Sequence, residues 1–129
     1  MVPESFLVFS GDDALTLPLM ALGASGVISV VSNVVPGEMA DMAQHCLRGD
    51  FATARRLHQR LLPLMQVLFV ESNPIPVKAA LAAMEQIQPV YRLPLVPMQA
   101  DNRARLEKVL RDLQLLGGEE KQYAAGRAN

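Results

Sequence analysis

The 129-residue chain has a single cysteine, two histidines and three lysines, and its formal charge is only −1. Each shortage excludes something. Cys46 cannot form an internal disulfide; it sits in a helical pattern and reads as a small packing residue, with the cytoplasm the expected compartment. His45 and His58 fall on predicted helices with no Cys or His at ligand spacing, so no metal site is expected. Near-neutral charge lacks the footprint of a nucleic-acid binder. No apolar run reaches the length of a membrane span. The opening MVPESF lacks the basic-then-apolar pattern of a secretory signal. No Gly-rich phosphate loop, nucleophile elbow, internal repeat or low-complexity tract is present.

What is there is half hydrophobic, which is globular rather than disordered, and long enough for one domain at most. The organising stretch is FLVFSGDDALTLPLMALGASGVISVV, residues 6–31. Phe6-Leu7-Val8-Phe9 and Val27-Ile28-Ser29-Val30-Val31 are short apolar runs that do not alternate, which predicts strands covered on both faces. Roughly a dozen and a half residues separate them, enough for one crossover helix and therefore a parallel pair. Two parallel strands do not stand alone as a sheet. The expectation is an α/β chain that is part of a larger sheet-centred fold, and a start so close to a buried strand adds to the expectation of truncation.

The rest reads as helix. Spacing predicts helices over about 14–22, from Pro36 to Gly49, 51–70, 77–87 and 102–116. Pro18 should kink its helix or mark a restart after a first turn, Pro63 should kink its helix, and Asp50 and Asp101 should cap the helices that follow them. Gly23, Gly49 and Gly117-Gly118 are the expected stops. Residues 88–100, with Pro89, Pro94 and Pro97, predict a stiff loop packed across another surface. The tail 119–129 is polar. The methionines lie mostly on helical stripes and read as core fill, and the arginines of 48–60 as a solvated face.

Ligand-binding groups belong at the carboxyl ends of such strands. Those positions are Ser10-Gly11-Asp12-Asp13 and 29–33. Gly11 allows a sharp turn or close approach of backbone to a ligand, and Asp12 or Asp13 can cap the next helix. Gly-Asp-Asp is also a metal signature in some polymerases, but here it precedes a helix and no hairpin surrounds it. Lys78, Lys108 and Lys121 fall on helices or in the tail. None stands at a strand end, and nothing in the sequence supplies the desolvated or electropositive setting that a Schiff-base lysine needs.

SGDDALTLPLMALGASGVISVVSNVVPGEM, LFVESNPIPVKAAL and YRLPLVPM, followed by an amphipathic helix, resemble the C-terminal portion of the 4-hydroxy-tetrahydrodipicolinate synthase (dihydrodipicolinate synthase) family. That family lies within the pyruvate-dependent aldolases, with N-acetylneuraminate lyase. The resemblance spans about 6–116, and Asn73-Pro74-Ile75-Pro76-Val77-Lys78 is its most specific run. It implies the C-terminal part of a (β/α)8 TIM barrel: its last two strand–helix units over 1–70, a helical extension over 71–118, and a tail over 119–129. It implies condensation of pyruvate with aspartate semialdehyde through a lysine Schiff base, in lysine and diaminopimelate biosynthesis, by a homotetramer. Ile28 matches the position whose backbone carbonyl lies beside bound pyruvate, and Gly11 a glycine lining the same pocket. The family's Schiff-base lysine and catalytic tyrosines match no residue here, so no catalytic residue and no cofactor is assigned to this chain. Alone it should be inactive, poorly stable or self-associating, and it should need the missing N-terminal barrel segment or further copies as partner. The alternative is a non-catalytic module that self-associates or docks on an intact synthase. A membrane or nucleic-acid partner is not expected.

Overall fold

The computed structural model describes residue 3 and residues 5–116. Two short parallel strands, β1 (Phe9–Ser10) and β2 (Gly26–Val27), are joined by helix α1 (Thr16–Ala21). Phe9 faces Gly26 and Ser10 faces Val27 in the register. A 3-10 turn, Val31–Asn33, follows β2. Then come α2 (Pro36–Leu47), α3 (Phe51–Val67), α4 (Ile75–Ala83) and α5 (Ala100–Asp112).

The parallel pair was expected, but both strands are shorter than their apolar runs. A strand extends only as far as a partner backbone accompanies it. Within this chain, pairing reaches from Ser25 N–H, donating to Val8 C=O, to Ile28 N–H, donating to Ser10 C=O. Nor are the runs covered on both faces: Phe6, Leu7, Val8, Phe9 and Ile28 are all exposed, Ile28 by 74%. The second run turns after Ile28, and Val31 starts the 3-10 turn fully buried rather than ending a strand.

The helices bury a common cluster that includes Met42, Leu61, Leu64, Met65, Leu68, Leu106 and Leu110. α2 packs on α3, α1 and the 3-10 turn, while α5 packs on α3 and α4. Pro36 occupies the first position of α2, where its missing N–H costs nothing. Pro18 falls in the first turn of α1, because that helix starts later than its pattern, and no intrahelical donor is lost. α3 runs through Pro63 as one helix. Asp50 caps it by accepting from Thr53 N–H at 3.1 Å. Hydrogen bonds from Thr53, with a smaller contribution from His45, hold the Asp50 carboxyl below its ordinary value. Cys46 is buried in the core, which pushes its thiol up.

The helix ends correct several expectations. α1 and α2 stop where Gly23 and Gly49 take positive φ. Each closes the same pair of terminal bonds, Gly23 N–H to Met20 C=O with Ala24 to Leu19, and Gly49 to Cys46 with Asp50 to His45. α4 and α5 close the identical motif with non-glycine residues, Glu85 (φ 59) and Gln114 (φ 61). They therefore end at Ala83 and Asp112, short of 87 and 116. The expected stop at Gly117-Gly118 and the tail 119–129 lie outside the described residues.

Residues 88–100 do pack across the helices. Met98 is buried and Tyr91 and Leu95 lie against the core. Lys78 Nζ donates to Val90 C=O at 2.6 Å and sits 5.2 Å from the centroid of the Tyr91 ring. Asp101 is not the cap of α5. It lies within the first turn, and the carboxylate of Glu71 performs the capping from a distant loop, accepting from Gln99 N–H and from Asn102 Nδ2.

Candidate functional site

The carboxyl ends of β1 and β2 lie side by side. Ile28 N–H donates to Ser10 C=O at 2.9 Å, which sets Ile28 next to the turn that begins at Gly11. That turn is built by its own side chains. Ser10 Oγ donates to Asp12 C=O at 2.6 Å, and Asp12 Oδ1 accepts from Ala14 N–H at 2.8 Å and from Leu15 N–H at 3.2 Å. Of the acidic pair, Asp12 is therefore the residue that caps the turn into α1.

Asp13 does something the sequence did not disclose. It is 1% exposed, and its Oδ2 accepts the amide protons of Val30 at 3.0 Å and Val31 at 3.1 Å. A carboxylate at the start of a helical turn meets amide donors that have no partner within the turn. Its other oxygen, Oδ1, is buried without a hydrogen-bond partner among the described residues. Ser32 N–H donates to Ser29 Oγ at 2.8 Å, and Ser32 Oγ donates back to Ser29 C=O. An acidic pair in which one member caps the adjoining helix leaves the second free for such a tertiary role. That was the only signal available.

Nothing among the described residues requires glycine at position 11. Its φ lies outside the left-handed region, and a Cβ there would meet nothing within 4 Å. Ile28 turns its side chain outward, so the backbone is the part of it that the fold fixes. The two positions singled out in the sequence are thus brought to one end of the sheet. Lys78 and Lys108 are elsewhere: the first holds Val90, and the second pairs with Asp112 at 2.7 Å on the outer face of α5. Lys121 lies outside the described residues. Among the described residues no group of three or more His, Cys, Asp or Glu side chains could hold a metal ion, and no helix is long and apolar enough to cross a membrane.

The model of the dihydrodipicolinate synthetase family matches residues 1–113. The chain belongs to this family. It is 56% identical over 107 residues to the 4-hydroxy-tetrahydrodipicolinate synthase of Koribacter versatilis, covering 83% of this chain and 36% of that protein. With the synthase of Methanocaldococcus jannaschii it shares 51% over 109 residues, covering 84% and 38%. Among solved structures, the dihydrodipicolinate synthase of Aquifex aeolicus superposes with a TM-score of 0.86 at 49% identity, over 88% of this chain and 39% of that one. The chloride-inhibited synthase of Acinetobacter baumannii, solved in complex with pyruvate, superposes with a TM-score of 0.83 at 40% identity, over 86% and 38%. The chain therefore spans well under half the length of the synthases it matches, and the helix-rich arrangement around two parallel strands is shared with them.

Proposed function

We propose that this chain forms the last two strand–helix units (1–70) and the helical extension (71–118) of a 4-hydroxy-tetrahydrodipicolinate synthase barrel. The reaction is condensation of pyruvate with aspartate semialdehyde in lysine and diaminopimelate biosynthesis. In it a lysine amine adds to the keto carbon of pyruvate and expels water, and the imine loses a methyl proton to become an enamine. The enamine carbon attacks the aldehyde, and water then releases the product and frees the lysine. The lysine belongs to the part of the barrel that this chain does not contain, supplied by a preceding segment or a partner chain. The chain's own contribution is one wall of the pyruvate pocket. Gly11 admits close approach, and the Ile28 carbonyl lies beside the bound keto acid.

The observation that carries this reading is the bond from Ile28 N–H to Ser10 C=O. It puts both matching positions at the carboxyl ends of adjacent parallel strands, where such folds bind ligands. Gly11 supports it, since its missing Cβ is explained by nothing among the described residues. The exposed Phe6–Phe9 and Ile28 support a sheet that continues beyond these two strands. A cytoplasmic setting suits both the chemistry and the lone thiol.

The test is intact mass after incubation with pyruvate and borohydride, which reduces a Schiff base to a stable adduct. It is run on the chain alone and on the assembly isolated with it from its own cells. The expected result is an adduct in the assembly on a lysine outside this chain, and none on the chain alone. An adduct at Lys78, Lys108 or Lys121 would overturn the placement of the nucleophile. No adduct in either sample would leave the non-catalytic docking module as the better reading.

A further inference from the structure

We propose that Asp13 is a positioning residue for the pyruvate side of the site, acting through the backbone of residues 28–31; the proposal rests on the pocket reading above. The peptide between Ile28 and Ser29 carries the carbonyl assigned to pyruvate. It is pinned on both sides: Ile28 N–H is held by Ser10 C=O at 2.9 Å, and Val30 and Val31 N–H are held by Asp13 Oδ2 at 3.0 and 3.1 Å. Only Ser29 lies between the two anchors. Within this chain the Ile28 side chain is 74% exposed, so these backbone bonds are the anchors that the chain itself supplies for its carbonyl. Asp13 is the only side chain among the described residues that ties the Gly11 turn to the segment after Ile28.

Two features argue for more than stability. Asp13 is 1% exposed, and an ionisable group is rarely buried so completely. One of its oxygens has no partner among the described residues, an arrangement less favourable than a well-packed apolar residue. A capping role alone is met next door by Asp12, which is exposed and needs no burial. What burial adds is rigidity: a charged acceptor in a low-dielectric setting binds two amides strongly and fixes their direction.

The variants Asp13→Ala, Asp13→Asn and Asp13→Glu are introduced into the chromosomal gene, and the assembly that the cell builds with this chain is purified. Each is titrated with pyruvate under borohydride trapping and then assayed with aspartate semialdehyde. Asp13→Ala is expected to raise the half-saturating pyruvate concentration about tenfold, the size of effect lost with hydrogen bonds to a charged acceptor. The semialdehyde KM should move by less than about twofold, because binding is weakened on one side only. Asp13→Asn, which keeps an oxygen for both amides, should recover most of the loss. Asp13→Glu keeps the charge but displaces the acceptor and should show the same one-sided shift; it decides the matter if the alanine variant does not accumulate. A fall in active fraction with both saturation constants unchanged overturns the positioning role while leaving the pocket reading intact. Absence of pyruvate trapping in the unaltered assembly overturns the pocket reading itself, and this proposal with it.

Discussion

Glu71 Oε1 accepts the amide proton of Gln99 at 3.0 Å, so a carboxylate 28 residues upstream caps α5. The same oxygen accepts from Asn102 Nδ2 at 2.8 Å, which bridges the start of the helix to the loop before α4. Removing this carboxylate leaves the Gln99 amide at the start of α5 and the Asn102 side-chain amide without their acceptor and loosens a tertiary tie. Glu71→Ala is expected to lower stability by about 1 kcal/mol, the usual worth of a cap. Asp101→Ala acts only on the helix dipole and should cost less, about 0.3–0.5 kcal/mol. Urea denaturation of the two variants gives the comparison. Equal losses would return the capping role to Asp101.

How much of this was legible depended on whether the cause was local. Pro36, Gly23, Gly49 and Asp50 act on their own few residues, and each does in the fold what its chemistry announces. Glu71 could not be read because its partners are distant in sequence. The ends of α4 and α5 were misplaced because Glu85 and Gln114 carry no compositional mark of a left-handed residue. The strands were overestimated because apolar runs record what a segment packs against, whereas the strand observed records only the backbone that accompanies it. At the candidate site, Gly11 and Ile28 could be singled out by position, but the bonds from Asp13 to Val30 and Val31 join two turns that look independent in sequence.

The two non-glycine helix ends give a prediction of their own. A side chain at positive φ is strained by its Cβ, and glycine removes that strain at some cost in unfolded-state entropy. Glu85→Gly and Gln114→Gly should each stabilise the fold, by about 0.5–1 kcal/mol. Gly49→Ala, at φ 78, should destabilise it by a comparable amount or more. Thermal melts of the three variants check the sign. A lower melting temperature for Glu85→Gly would mean that its side chain contributes more than its backbone costs.

His58 makes stability depend on pH. Burial lowers its pKa from the ordinary 6.5, and Nδ1 is buried without a partner among the described residues. The unfolded chain therefore takes up a proton at a higher pH than the folded one. In the window below about 6.5 the unfolded state binds more protons, so stability falls as pH falls. The loss levels off once the folded-state histidine is protonated as well. His58→Gln should flatten the profile between pH 7 and 5, while His45→Gln should leave the His58 contribution in place. A wild-type slope preserved in His58→Gln would assign the dependence to other groups.

The exposed run before β1 makes the last prediction. Phe6, Leu7 and Val8 are 60%, 62% and 46% exposed, and Phe9, already in the strand, is 48% exposed. They lead into a strand whose described partner is β2. An apolar strand with an open edge is a template for pairing with another chain. The isolated protein should therefore associate, with a sedimentation coefficient that rises with concentration. Charge on such a strand opposes edge pairing and costs little where the side chain is already exposed. Leu7→Lys should shift the distribution toward monomer and change the unfolding free energy by less than about 0.5 kcal/mol, as exposed positions do. Leu22→Lys, at an 86% exposed residue just after α1 and outside both strands, is the control and should leave association unchanged. If both substitutions dissolve the association equally, general surface hydrophobicity is responsible and the strand is not. If Leu7→Lys alone does so, the run that leads into β1 is where copies of this chain associate.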